Sequence, residues 1–313
     1  MAERDYAYAV GRIRVLETKL LPLGFFERLL TTPTVEESVR MLSETEYASR
    51  ETAGDFEDIL EEQLGQLYQF LREQTADAPE LLVFLQRWDV HNLKLLVVAA
   101  GRGQPSKLGL IPFAELKKMV DGSLPSALPK EINEVLADLP EYGPAQAAAF
   151  DRAYYRYGRR ILEKSSKLLG AYWRARRDLL NLQIFLRLRK SGAPVEEFEL
   201  FMVEPGYIER ERWVENYTQS SLSLASLVNN TPYAHLGRDE EVINALPILE
   251  REIDNFLLEQ IKEAKSIPLG IEPVIGYLLA KEREILNLRF VFAGKKNKLP
   301  VETGRGRLRN VYI

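Results

Sequence analysis

The chain has no cysteine and only two histidines, His91 and His235, among its 313 residues. The lack of cysteine excludes disulfides and thiolate metal sites and fits a reducing compartment. Two histidines would need carboxylates to complete a zinc site. No apolar run approaches the roughly 18 residues of a transmembrane helix, and the first residues do not resemble a signal peptide. We therefore expect a cytoplasmic protein without a metal or cofactor.

Signatures of catalysis are also missing from the sequence. It contains no Gly-x-x-x-x-Gly-Lys-Ser/Thr phosphate loop, no Gly-x-Gly-x-x-Gly after a strand and no Gly-x-Ser-x-Gly nucleophile elbow. Runs of carboxylates are present, but such runs are typical of solvated helix faces. We expect no enzymatic activity and no small-molecule substrate.

A six-residue pattern occurs three times along the chain. It consists of an acid, two residues, then Asn-Leu and a long polar side chain. The copies are Asp89-Val-His-Asn92-Leu-Lys94, Asp178-Leu-Leu-Asn181-Leu-Gln183 and Glu284-Ile-Leu-Asn287-Leu-Arg289. Internal repetition of this kind indicates the architecture before any single residue does.

The similarity between the copies extends beyond the six residues. When the three asparagines are aligned, apolar residues coincide at ten, eight and two positions before and at one, three and four positions after. These offsets mark one broad helical face, and each copy follows a more amphipathic helix. Strand-like alternation is scarce. The pattern predicts an all-α protein of three similar repeats, 1–104, 105–192 and 193–313, the last with a basic C-terminal tail.

Asparagine inside a helix costs some tenths of a kcal/mol relative to alanine, so three occurrences in register need a reason. We favour a structural role, in which the amide binds backbone groups of an adjoining loop and the acid helps to orient it. A polar site used three times is the alternative. His91 occupies a slot that holds Leu180 and Leu286 in the other copies, which predicts a packed core histidine.

A second, shorter echo links two other stretches. Leu42-Ser-Glu-Thr-Glu-Tyr47 resembles Val228-Asn-Asn-Thr-Pro-Tyr233, whereas the middle repeat has no counterpart. This echo supports the relation between the first and third repeats.

Positive charge is concentrated in residues 152–190, with 12 lysines and arginines against 2 acids, and in the tail 295–313, with 6 against 1. Such blocks attract acidic partners or anionic headgroups, unless they pair with acids of the same chain. Tyrosines interleave the arginines, as on nucleic-acid surfaces, but the total charge of −4 argues against nucleic acid. The candidate partner-binding cations are Arg156, Arg159, Arg160, Arg174, Arg176, Arg177, Lys295 and Lys296.

The chain resembles the C subunit of the V-type and A-type rotary ATPases, whose eukaryotic counterpart is the V-ATPase d subunit. The likeness is carried by Tyr6-Ala-Tyr-Ala-Val-Gly-Arg-Ile-Arg14, Leu42–Tyr47, Asp89–Lys94 and Asn287-Leu-Arg-Phe-Val-Phe-Ala-Gly294. The resemblance implies three helical domains arranged as a funnel with pseudo-threefold symmetry. It further implies a non-catalytic central-stalk rotor subunit, peripheral on the cytoplasmic side of the membrane. Its implied partners are the rotor-shaft subunits and the membrane proteolipid ring.

Two other functions are compatible with the residues alone. A helical-repeat adaptor outside any rotary ATPase would show the same repeats. An RNA-binding scaffold would bind polyanions with a strong salt dependence.

Overall fold

The computed structural model describes residues 6–47, 56–99, 102–219, 224–238 and 245–313, and within these ranges it contains helices but no strand. The prediction of an all-α protein is confirmed. The sequence also predicts helices that begin near Asp5, Asp55 and Asp239 and one that ends at Ala100, and these ends lie outside the described residues.

The chain divides into two compact units. The first unit consists of Met1–Ala78 and Arg251–Ile313. Its α-helices are Ala7–Glu17, Leu23–Thr31, Val35–Leu42, Phe56–Thr75, most of Leu246–Ile261, Glu272–Lys296 and Val301–Arg305, with a 3₁₀ turn at Lys262–Ser266. Fully buried aliphatic and aromatic side chains, among them Ile13, Phe26 and Leu278, form its core.

The second unit is the continuous stretch Pro79–Glu250. Its α-helices are Pro79–Leu85, Arg87–Val97, Phe113–Val120, Lys130–Ala137, Gly143–Ser165, Lys167–Lys190, Val195–Phe201, Arg210–Thr218 and Leu224–Val228, with a 3₁₀ turn at Ala234–Gly237. Aromatic rings form a cluster in its core, in which Trp173 contacts Phe84, Tyr154 and Tyr155 at centroid distances of 5.2–5.9 Å.

Each motif lies on a helix that follows another helix. We call Arg87–Val97, Lys167–Lys190 and Glu272–Lys296 the first, second and third motif helices. The first is the shortest because the chain breaks at Gln86, between it and Pro79–Leu85. The first and second motifs belong to the second unit and the third motif to the first unit. The division into repeats 1–104, 105–192 and 193–313 stays a prediction.

The sequence predicts a long helical stretch from Pro144 to about Arg189 with a break near Gly170, but the break lies at Ser166. Ser166 adopts an extended conformation, and its hydroxyl accepts a hydrogen bond from the Leu169 N–H as an N-cap. Gly170 lies inside the following helix, where a Cβ atom would come within 3.1 Å of Glu163 Cα. The glycine therefore serves the close approach of two helices and not a break.

The second motif helix ends at the predicted boundary with a Schellman motif. Gly192 has φ of +72°, and the N–H groups of Gly192 and Ala193 donate to the carbonyls of Arg189 and Leu188. A left-handed residue at this position favours glycine, because glycine has no Cβ to clash. This local geometry explains the Ser-Gly-Ala-Pro sequence that follows the helix.

The glycine-bearing composition beyond Gly294 predicts an extended tail, but the tail is folded. It contains the short helix Val301–Arg305, and Leu308 and Tyr312 beyond it are buried. The charge pattern concealed these two apolar anchors, because they are separated by polar residues.

Candidate functional site: three clasps and the exposed cations

Every motif asparagine holds one backbone residue of a later segment. Its Oδ1 accepts a hydrogen bond from that residue's N–H, and its Nδ2 donates to the same residue's carbonyl. The held residues are Ser106 for Asn92, Val203 for Asn181 and Arg309 for Asn287, with distances of 2.9 and 3.0 Å in each case. The amide thus mimics a backbone group and fastens a return segment to the helix.

The three asparagines are completely buried, as are Asp89 and Asp178. A buried amide that lost its partners would leave both itself and the held backbone group unsatisfied, at about 1–3 kcal/mol per group. We use the word clasp for a motif acid, its asparagine and the groups that they bind.

The acid of the first clasp binds a different part of the same return segment. Asp89 Oδ1 accepts from the Ile111 N–H at 3.1 Å, and Oδ2 accepts from the Gln86 side-chain amide at 2.9 Å. Gly109 passes so close that a Cβ there would lie 2.6 Å from Asp89 Oδ1. The glycine is thus required by the approach of the segment.

In the second clasp, Asp178 accepts hydrogen bonds from four neutral donors. They are the N–H groups of Gly206, Tyr207 and Ile208 and the hydroxyl of Tyr233, at 2.5–3.3 Å. Burial raises the pKa of Asp178, and these donors oppose that rise without cancelling it. Burial and the Asp178 carboxylate together raise the pKa of Tyr233 far above that of a free tyrosine.

The third clasp contains a buried ion pair. Glu284 accepts from Lys281 Nζ at 2.5 Å, from the Tyr47 hydroxyl at 2.7 Å and from the Leu21 N–H at 2.5 Å. The side chains of Lys281 and Glu284 are only 6% and 4% exposed, so water screens the pair weakly. Burial and Glu284 raise the pKa of Tyr47.

Tyr47 and Tyr233 were not among the site residues predicted from the sequence, although the echo between Leu42–Tyr47 and Val228–Tyr233 ends on them. The two segments also share a turn, in which the Thr45 and Thr231 hydroxyls donate to the carbonyls three residues earlier. The echo therefore marks a common element that delivers a tyrosine hydroxyl to a motif acid. The sequence shows the repeated segment, but it does not show which carboxylate the tyrosine hydroxyl binds.

Each clasp binds groups from the segment that follows its motif helix. The third clasp also binds groups from the beginning of the chain. The first two motif helices hold backbone residues 14 and 22 positions further on. The third holds Arg309, also 22 positions on, while its acid binds Leu21 and Tyr47 from the beginning of the chain. Each clasp is thus completed by groups from outside its own motif helix.

The predicted core position of His91 is wrong. The side chain is exposed and lies edge-on to Trp88 at a ring distance of 6.5 Å. Leu180 and Leu286, which fill the equivalent slots, are half-buried, so the slot lies at the edge of the packed face. A histidine is tolerated there because its ring nitrogens can reach water.

The candidate cations of the basic block fall into two groups. Arg156, Arg159 and Arg160 are exposed. Arg159 pairs with Glu204, and Arg160 pairs with Glu131 at 2.5 Å. Pairs at this level of exposure contribute about 0–1 kcal/mol, so these side chains can exchange partners at little cost.

The other candidate arginines of the block, Arg174, Arg176 and Arg177, are engaged inside the second unit. Arg177 is 2% exposed and binds Glu163 at 2.5 Å. Arg174 lies over the Tyr207 ring and Arg176 over the Trp173 ring. Arg177 is therefore a core ion-pair residue, which corrects its assignment to a partner-binding surface.

The two lysines of the tail also differ from one another. Lys295 donates to the carbonyls of Leu30 and Thr32 at the end of the helix Leu23–Thr31, a position that suits a cation. Lys296 is exposed. Of this pair, only Lys296 offers an unobstructed charge at the surface.

Two features are absent from the part of the chain that the structure describes. Within the ranges given above, no three metal-ligating side chains come together. Among the same residues, no helix combines the length and apolarity that a membrane span requires.

Comparison with known proteins gives a consistent result. Residues 9–307 match the family model described as ATP synthase (C/AC39) subunit. The chain is 26% identical to the C subunit of the A-type ATP synthase of Desulfurococcus sp. (strain SY), covering 91% of this chain and 85% of that protein. It is 25% identical to the C subunit of the V-type sodium ATPase of Enterococcus hirae, covering 96% and 97%. The corresponding A-type ATP synthase protein of Thermococcus kodakarensis is 26% identical, with 91% and 85% coverage.

Proposed function

Because the chain belongs to the ATP synthase (C/AC39) subunit family, we propose that it is the non-catalytic central-stalk rotor subunit of a V/A-type rotary ATPase. In this role it is a socket that couples the rotor shaft of the soluble head to the membrane proteolipid ring. It transmits torque in ATP-driven or ATP-producing ion transport and lies peripherally on the cytoplasmic side of the membrane. The observation that carries this proposal is the family match over residues 9–307.

The clasps support a mechanical role. A part that transmits torque must not let its helices slide, and each clasp ties a return segment to a motif helix by paired hydrogen bonds from a buried amide. These bonds lie inside the units, where the low dielectric makes a hydrogen bond stronger than it is in water. The repeats 1–104, 105–192 and 193–313 are proposed as the three domains of the funnel.

The exposed cations are the proposed contacts. Arg156, Arg159, Arg160 and Lys296 remain as candidates after the engaged side chains are removed, and they suit acidic loops of the shaft or anionic groups at the ring. Contacts of this kind favour fast, reversible association, which suits a head that detaches. The engaged arginines, Arg174, Arg176 and Arg177, are poor choices for a test, because charge reversal there would disturb the fold.

The test is affinity purification of the tagged full chain from detergent-solubilised membranes of its own cells, followed by mass spectrometry. Rotor-shaft and proteolipid subunits should be recovered together with the bait. Recovery of neither would contradict the rotor function. Recovery of RNA that disappears at high salt would instead favour the RNA-binding scaffold.

A charge-reversal triple variant, R156E/R159E/R160E, tests the contacts separately. We expect it to lose the rotor-shaft subunits, the proteolipids or both, whereas the control R40E, on an exposed arginine of the other unit, should retain both. If the triple variant retains both, the assignment of these cations as contacts is wrong, but the proposed rotor function is not affected.

A further inference from the structure

A pocket of about 570 Å³ lies within the second unit, and Val203 of the second clasp is one of its lining residues. Its walls come from the first and second motif helices and from the helices Gly143–Ser165 and Val195–Phe201. Pockets of about 300–1,000 Å³ are the size that proteins use for small ligands. An α-helix about 10 Å across would fill this volume with only one or two turns, so a partner helix is a poor fit.

Equivalent positions of two repeats converge on this pocket. Arg87 and Arg176 stand five residues before their motif asparagines, and both line it. His91 and Leu180, one residue before the asparagines, line it as well. The third repeat has Glu282 in place of the arginine, where it accepts a hydrogen bond from Tyr68 at 2.6 Å. The paired arginines are thus a property of the two repeats that share the pocket.

The lining carries a surplus of positive charge, with four lysines and arginines against two carboxylates. Two of the four cations are paired, because Lys94 binds Asp151 and Arg187 lies 3.7 Å from Glu250, which is not part of the lining. Arg176 is held by neutral groups, the Tyr172 hydroxyl at 3.4 Å and the Trp173 ring at 5.6 Å. It forms no salt bridge with any residue in the described part of the chain. A guanidinium that is positioned by aromatic groups but not neutralised is suited to bind an anion.

An apolar stripe leads away from this charge along the second motif helix. Leu180, Ile184 and Leu188 follow Arg176 at intervals of four residues, all line the pocket, and all are half-buried. Twelve residues of helix extend for about 18 Å. Phe201 adds an aromatic face from the helix Val195–Phe201. The pocket therefore combines the Arg176 guanidinium with an apolar stripe that runs along the second motif helix.

We propose that this pocket binds a single-chain amphiphilic anion of the alkyl phosphate class. The anionic head lies at Arg176 and Arg87, beside His91, and the alkyl chain lies along Leu180, Ile184 and Leu188. Burial of the chain contributes about 25 cal/mol per Å² of apolar surface removed from water. Neither half suffices alone, because a bare phosphate lacks the apolar contact and a neutral amphiphile lacks the charge contact.

Isothermal titration calorimetry on the full chain tests this proposal with three probes. The two amphiphiles are used below their critical micelle concentrations. Dodecyl phosphate should bind at one saturable site. Inorganic phosphate and the uncharged dodecyl maltoside should bind at least tenfold more weakly. Equal binding of the neutral and charged amphiphiles, or no saturable binding of dodecyl phosphate, would overturn the proposal.

Two variants locate the site and guard against misfolding. R176Q should weaken binding of dodecyl phosphate at least tenfold. Because Arg176 packs on Trp173, a second variant uses the exposed His91: H91E places a repelling charge beside the head and should weaken binding without loss of thermal stability. The control R210Q, on an exposed arginine of the same unit outside the pocket, should bind as the original chain does. Unchanged binding in both R176Q and H91E would overturn the assignment.

Sedimentation with vesicles separates a free amphiphile from a membrane lipid as the source. Vesicles that contain phosphatidic acid should pull down the chain, but not R176Q, if the head of a membrane lipid enters the pocket. If the chain binds dodecyl phosphate in the titration but does not sediment with the vesicles, the ligand is a free alkyl phosphate. Both results support the site and differ only in the origin of the ligand.

Discussion

The second and third clasps hold a return segment with the same asparagine geometry, yet they stabilise their buried acids with different kinds of partner. Asp178 is surrounded by neutral donors, three backbone N–H groups and the hydroxyl of Tyr233. Glu284 instead faces the ammonium of Lys281. The comparison teaches that the asparagine is the constant element of the clasp, whereas the acid is a variable anchor.

Among the changes that test this difference between the acids, the largest effect is expected at the ion pair. K281M removes the cation and leaves Glu284 buried without its charged partner, which should lower the free energy of unfolding by about 3–5 kcal/mol. Chemical denaturation followed by circular dichroism measures the change. The double variant K281M/E284Q should recover most of the loss. The control K296M, on an exposed lysine of the same helix, should change stability by less than about 0.5 kcal/mol. A K281M variant as stable as the original would show that the pair is not a buried charge at all.

The tyrosine hydroxyls provide the next test of the comparison. Y47F and Y233F each remove one hydrogen bond to a carboxylate, and each should cost about 1.5–3 kcal/mol. Y233F should cost at least as much as Y47F, because Asp178 has no ammonium partner to compensate. Denaturation midpoints of the two variants, measured side by side, check the order. The reverse order would mean that the neutral donors of Asp178 suffice without the tyrosine.

The glycine of the second clasp tests how tightly its segment is held. G206A places a Cβ against the backbone of Arg174 and should cost about 1–3 kcal/mol by overpacking. The control G24A lies in a helix with no atom near the new Cβ and should be neutral or stabilising by up to about 1 kcal/mol. Thermal unfolding of the two variants measures the difference. Equal midpoints would show that the segment moves aside freely.

The smallest effect is expected at alkaline pH. The pKa values of Tyr47 and Tyr233 are raised in the fold above the value of about 10 for free tyrosine. Above that pH the unfolded chain releases protons that the folded chain keeps, so stability falls, by up to about 1.4 kcal/mol per pH unit for each tyrosine. Denaturation between neutral and alkaline pH should give a shallower fall in Y47F and Y233F. Identical slopes in all three proteins would contradict the raised pKa values.

The helical architecture and the three motif helices were predictable, because hydrophobic periodicity and repetition are local signals. The partners of the motif residues were not. Asn181 and Val203 are 22 residues apart, and Glu284 and Tyr47 are 237 apart. Nothing in the sequence states which distant backbone group an amide will meet.

The errors also have physical causes. The exposure of His91 could not be derived from the slot comparison, since the slot itself lies at the edge of the packed face. Arg177 shared the charge pattern of its exposed neighbours, and only its place on the inner face of the helix distinguishes it. Charge counts describe composition, but helix orientation decides which cations reach the surface.

The most direct test of the account is N181L, because the account holds that the motif is scaffold and that partner binding lies elsewhere. Two backbone groups of Val203 would lose their partners, so the free energy of unfolding should fall by roughly 2–6 kcal/mol. At temperatures below its lowered unfolding midpoint, the variant should still co-purify with the same membrane-complex subunits as the original chain. An unchanged unfolding midpoint together with loss of the partner subunits would contradict the account and make Asn181 a partner-binding residue.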